Sequence, residues 1–153
     1  MNVLEHEMID LLKVLKNKYG VFEIKAEYEN EGSRQTELMR LKDVAEKTNL
    51  PIIVKIGGVE AVTDIYNALS LGVKGIIAPM AETAFATSKF LNAIDTFVPE
   101  DNQKDIEFAI NIETITAYNN LDEILSLDKI NLLSGITVGR VDFTGSLGAD
   151  RKF

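Results

Sequence analysis

Residues 51–80, PIIVKIGGVEAVTDIYNALSLGVKGIIAPM, hold two short continuous apolar runs separated by a helical stretch. The runs PIIVKIGG at 51–58 and VKGIIAPM at 73–80 lack polar alternation, so they read as strands buried on both faces, the pattern of a parallel sheet covered by helices. Between them Ala61, Val62, Ile65, Tyr66 and Leu69 recur at helical spacing and form one apolar stripe. The glycines Gly57 and Gly58 cut the first run off and turn the chain toward that helix.

The same alternation extends in both directions. Upstream, Val3, Leu4, Met8, Leu11, Leu12 and Leu15 mark a helix over 3–17 that Gly20 stops. VFEIKAEYE at 21–29 reads as a strand. Ser33 is expected to cap a helix from about 34 to 48, with Leu38, Leu41, Val44 and Ala45 inward and Asn49 and Pro51 ending it. Downstream come a helix near 83–95, a surface loop over about 96–105, a strand in IEFAINIET, a capping box of Asn120 and Glu123, and a fifth strand in LLSGITVG. Five strand–helix units in one domain over 1–153 predict an α/β fold. Two architectures satisfy the pattern: an open doubly wound sheet, complete with five strands, or part of a barrel that needs eight.

Composition narrows the function. The chain of 153 residues is 46% hydrophobic and 26% charged, enough to bury one core. It has no cysteine, which excludes disulfides, thiolate catalysis and cysteine-bound zinc. A net charge of -8 without Lys or Arg clusters argues against nucleic acid. No apolar stretch approaches the roughly 20 residues of a membrane span, and the N-terminus lacks a basic start followed by an apolar run. The expectation is a soluble cytoplasmic protein.

In parallel α/β folds ligands bind at the C-terminal edge of the sheet. The residues reaching that edge are Glu27, Lys55, Gly57, Gly58, Pro79, Glu82, Glu113, Arg140 and Asp142. Glu113 and Asp142 each follow an apolar run, so two carboxylates at neighbouring strand ends offer hard oxygen donors to a divalent cation; ordinary strand-end capping or surface exposure is the alternative. Lys55 reads either as a clamp for an anionic substrate or as the neutraliser of nearby carboxylates, and Arg140 either as a substrate partner or as the counterion of Glu113 or Glu82. Glu27 reads as a site residue or as part of an acidic surface. Gly57 and Gly58 present backbone N–H groups to an anion or simply make a tight turn. Gly145, Ser146 and Gly148 are expected to shape a mobile loop, and no histidine stands near Ser146 in sequence to activate it as a nucleophile.

KAEYENEGSR, PIIVKIGG, GVKGIIAPMAET, FAINIETITAYNNLDEI and LSGITVGRVDFTGSLG together resemble the HpcH/HpaI aldolase/citrate lyase family, metal-dependent carbon–carbon lyases built on the phosphoenolpyruvate/pyruvate-type (β/α)8 barrel. The resemblance runs from about residue 20 over nearly the whole chain. It implies a partial TIM-type barrel of about five units, because family members are longer. It implies Mg²⁺ or Mn²⁺ on Glu113 and Asp142, and a small 2-oxo acid or related carboxylated or acyl-CoA substrate. It further implies a grip on the substrate carboxylate at Lys55, where the family commonly has arginine; proton transfer is then expected to fall to Glu27, Lys55 or a metal-bound water, and Arg140 joins the catalytic candidates from its strand-end position alone. Tyr28 stands where the family's aldolases carry a proton-transferring histidine, and the single histidine, His6, lies in the N-terminal helix and is expected to play no catalytic part. A partial barrel would expose two strand edges, so the chain is expected to form a homo-oligomer, to be fragile, or to belong to a longer polypeptide. The alternative is a catalytically inactive barrel fragment with a structural or subunit-assembly role.

Overall fold

The computed structural model describes residues 1–149; the last four residues of the single expected domain lie outside the described residues. Its strands are β1 (Ile24–Glu27), β2 (Ile52–Lys55), β3 (Gly75–Ala78), β4 (Glu107–Ile112) and β5 (Gly135–Val138). The helices are α1 (Val3–Tyr19), α2 (Gln35–Glu46), α3 (Val62–Leu71), α4 (Ala84–Phe97), α5 (Glu100–Asp105), α6 (Ile115–Asn119), α7 (Leu121–Leu125) and α8 (Arg140–Ser146). All four strand pairings are parallel.

Strand order decides between the two architectures. The sheet runs β1-β2-β3-β4-β5 without reversal. A doubly wound sheet reverses direction and sends helices to both faces. Here every crossover steps the same way, and right-handed crossovers then place all covering helices on one face. The result is a wall of a (β/α)8-type barrel, five units long.

The two faces of the strands differ in chemistry. Ala26, Val54, Ile76, Ile110 and their alternates pack with Leu38, Ala45, Ile65, Phe90, Leu91 and Ile94 of the helices in the main core. On the opposite face the register aligns Glu27, Lys55, Ile77, Ala109 and Gly135 across the sheet, the direction of a barrel interior.

Three local expectations are corrected. Residues 100–105 form α5 rather than loop, with Pro99 at its N-cap and Glu100 and Asp101 in its first turn; its six polar residues carry no apolar period to betray it. Arg34, not Ser33, precedes α2, and its N–H donates to the Glu37 carboxylate at 2.8 Å. Asn120 makes no capping box, because its side-chain amide donates to the Glu82 carbonyl at 2.9 Å. Thr114 caps α6 instead, accepting from the Ala117 N–H at 3.1 Å.

Helix α1 is fixed at its ends by polar contacts. Its Asn2–Glu5 capping box is closed, and Gly20 ends it with φ 74°, a conformation that favours glycine. The Asn2 N–H and the Arg40 guanidinium, 2.5 Å away, hold the Glu5 carboxyl below its usual range. Lys16 Nζ donates to the carbonyls of Thr48 and Asn49 at 2.9 and 3.0 Å. Of its apolar residues only Ile9 is buried; Leu4 and Leu11 stay 63% and 59% exposed. Among the described residues no helix is long and apolar enough to cross a membrane.

Candidate active site at the C-terminal edge of the sheet

Glu27 and Lys55 end β1 and β2 as register partners, so their side chains leave the inner face side by side. Lys55 Nζ lies 2.8 Å from Glu27 Oε1, and Lys25 Nζ lies 3.6 Å from Oε2. Lys55 is buried, at 7% exposure, so Glu27 compensates a side chain withdrawn from water. Glu27 Oε1 has no aligned hydrogen bond despite that contact, leaving it an acceptor with spare capacity.

Glu113 follows β4 and is 4% exposed. Its Oε1 accepts from Asn111 Nδ2 at 2.7 Å, and its Oε2 accepts from the Met80 N–H at 3.2 Å. Met80 reaches it from a left-handed backbone, φ 50°, just past β3. The Glu113 side chain lies over Gly139, where an added Cβ would fall 2.4 Å from Glu113 Cγ. No Lys or Arg is in ion-pair range of Glu113 among the described residues. Asn111 Oδ1 is also buried without a donor. A buried carboxylate without a counterion, beside an orphaned carbonyl oxygen, is the donor set a hard divalent cation fits.

Arg140 and Asp142 occupy the first turn of α8, directly after Gly139, and both are exposed. Helix α8 is docked on α6: the Ile115 N–H donates to Ser146 Oγ at 2.9 Å, and the rings of Tyr118 and Phe143 meet edge to face at 6.1 Å. Ser146 therefore ends a helix, with its hydroxyl committed to the fold, where sequence suggested a mobile loop. Glu82 accepts from Thr114 Oγ1 at 2.8 Å.

The structure thus brings Glu27 and Lys55 together and sets Glu113 against the turn that leads to Asp142. It makes no ion pair between Arg140 and Glu113 or Glu82 among the described residues. No group of three or more His, Asp or Glu side chains able to hold a metal gathers among the described residues. Gly57 makes a tight turn: its N–H donates to Asp64 Oδ2 at 2.8 Å, and an added Cβ would meet Glu29 Cγ at 2.5 Å. His6 is exposed on α1.

Sequence reasoning missed Asn111, Met80 and Gly139. The signal for Asn111 was its i−2 spacing from Glu113, which puts both on one face of β4. Gly139 could be read as the point where the chain must pass under a neighbour. Met80 acts through its backbone, and no side-chain pattern announces that.

Tyr28 packs on the helix-covered face, and its hydroxyl donates to Gln35 Oε1 at 2.8 Å. Burial, helped by the charge of Asp64, pushes its pKa up to about 12. A raised folded-state pKa favours the neutral phenol of the native state. The stability it contributes is full below the unfolded value of about 10 and is lost as pH rises through the folded value. Urea unfolding between pH 9 and 12 should show this loss, and Tyr28→Phe should flatten that part of the profile; an unchanged slope would place the Tyr28 hydroxyl in water.

A five-unit barrel wall with a carboxylate-rich C-terminal edge defines a class of (β/α) enzyme folds. The model of the HpcH/HpaI aldolase/citrate lyase family matches residues 29–153, and the chain belongs to that family. No curated protein gives a significant match to it. Among solved structures it is similar to the citrate synthase SbnG, with a TM-score of 0.77 and 21% identity, covering 95% of this chain and 61% of that one. It is also similar to a HpcH/HpaI aldolase/citrate lyase family protein from Burkholderia cenocepacia J2315, with a TM-score of 0.72 and 12% identity, covering 99% of this chain and 74% of that one. At these identities the likeness shows the fold, and the chain spans about three fifths of the SbnG length.

Proposed function

We propose that this chain is a metal-dependent carbon–carbon lyase that forms or stabilises an enolate from a 2-oxo acid or a related carboxylated or acyl-CoA substrate. The observation that carries this reading is Glu113, a buried strand-end carboxylate with no cationic partner among the described residues. Glu113 and Asp142 would hold Mg²⁺ or Mn²⁺, with water and substrate completing the set. When bound, such a cation polarises the substrate carbonyl and stabilises the negative charge that develops on it.

The chain's own residues supply the rest. Lys55 places a positive charge on the inner face and neutralises the substrate carboxylate, as a point charge without the bidentate fork of arginine. Glu27 holds that ammonium at 2.8 Å and is the nearest carboxylate able to take a proton beside it. Arg140, exposed at the start of α8, meets an incoming carboxylate from the solvent side. The Tyr28 hydroxyl is engaged with Gln35, so proton transfer falls to Glu27, Lys55 or water.

A second reading, a catalytically silent subunit, is favoured by the lack of a three-ligand cluster among the described residues. Exchange of pyruvate methyl protons with deuterated water, followed by NMR with Mg²⁺ present, separates the two. Exchange is expected to fall by about two orders of magnitude in Asp142→Asn, the loss of one stabilising group at the developing charge, and to drop in a folded Lys55→Ala protein. Calorimetric Mg²⁺ affinity should fall in Asp142→Asn as well. Unchanged exchange in both variants would refute the assignment; absent exchange in folded, Mg²⁺-saturated protein would favour the silent subunit.

A further inference from the structure

The outward face of α1 is apolar and carries two isolated charges. At 100° per residue, Val3, Leu4, Leu11 and Val14 fall within one stripe on the side opposite the buried Ile9, and all four are exposed. Glu7 and Lys18 project from the middle of that stripe, both exposed, and neither has an ion-pair partner among the described residues. Lys18 Nζ lies over the ring of Tyr19, 5.3 Å from its centroid. An unpaired charge of each sign in an exposed apolar stripe is a poor arrangement for a helix that ends in water.

The spacing of these residues is symmetric. The midpoint between Leu11 and Val14 is also the midpoint between Glu7 and Lys18. A twofold axis through that point, perpendicular to α1, sets Leu11 against Val14 of a second copy and Glu7 against Lys18 of a second copy, each pair formed twice. Such an interface is isologous, as a closed dimer requires. Parallel pairing would oppose like charges instead.

We infer that α1 is a self-association surface, pairing antiparallel with α1 of a second copy of this chain through the Leu11/Val14 contact and two reciprocal Glu7–Lys18 ion pairs. The inference does not depend on the proposed chemistry, since α1 precedes β1 and holds none of the site residues.

Charge reversal tests it without touching the core. The wild-type chain is expected to show a concentration-dependent monomer–dimer equilibrium by sedimentation equilibrium. Glu7→Lys and Lys18→Glu should each weaken the dimer by roughly tenfold or more, since both ion pairs become repulsions. An equimolar mixture of the two variants should recover the dimer, because each heterologous pair is again opposite in sign. Wild type that stays monomeric through hundreds of micromolar would overturn the inference, as would a dimer indifferent to both reversals or a mixture that fails to re-associate.

Discussion

Replacing Lys55 by methionine is expected to lower the unfolding free energy by about 3 kcal/mol, the lower part of the range for breaking a buried ion pair from one side. The loss comes from what is left behind. Glu27, with its side chain only 14% exposed, would keep a buried carboxylate whose nearest cation is Lys25 at 3.6 Å. Removing both charges should cost much less, because a buried pair replaced by apolar groups of similar size is often close to neutral. Urea unfolding of Lys55→Met and of the Lys55→Met/Glu27→Leu double variant is therefore the informative comparison. A single-variant loss under about 1 kcal/mol, the range of exposed pairs, would mean that water already solvates Glu27.

Gly139→Ala should have a comparable effect by a steric route. The new methyl would fall 2.4 Å from Glu113 Cγ, 2.7 Å from Oε1 and 3.0 Å from Cδ. The Glu113 side chain is held on its other sides by Asn111 and the Met80 N–H, so it can escape only by giving up those bonds. Overpacking of this kind costs about 1–3 kcal/mol, and expulsion of the carboxylate should also abolish Mg²⁺ binding. Gly135→Ala, at the start of β5 with nothing within 4 Å of the added Cβ, is the control. Equal melting temperatures and equal calorimetric Mg²⁺ affinities for the two variants would show that Glu113 is mobile and not seated over Gly139.

Most of the fold was legible because strand and helix periods are strong local signals. The runs around Ile52–Lys55 and Gly75–Ala78 are apolar on both faces, and the stop at Gly20 needs only a glycine. Strand order was not legible from periodicity alone, since both candidate architectures share the same alternation; the family resemblance supplied what the pattern lacked. The α5 helix was missed because a six-residue polar turn has no face to bury. At the site, the strand-end carboxylates could be named from sequence because they interrupt apolar runs. Their partners could not: the bond from Met80 uses only a backbone N–H, and the preference of Lys55 for Glu27 depends on the inter-strand register.

The unreversed order of the strands also bears on how the chain reaches its fold. Ile24 pairs with Ile52, Val54 with Ile76, Ile76 with Phe108 and Ile110 with Ile136, separations of 22 to 32 residues. Every strand finds its predecessor already in place, so the sheet can grow unit by unit in the order of synthesis. No early edge has to be held open for a late strand inserted between earlier ones, as a reversed order would demand. Loop-closure entropy is then spent in small equal instalments, and assembly resembles the nearest-neighbour propagation of a repeat protein more than the all-at-once closure of a sandwich.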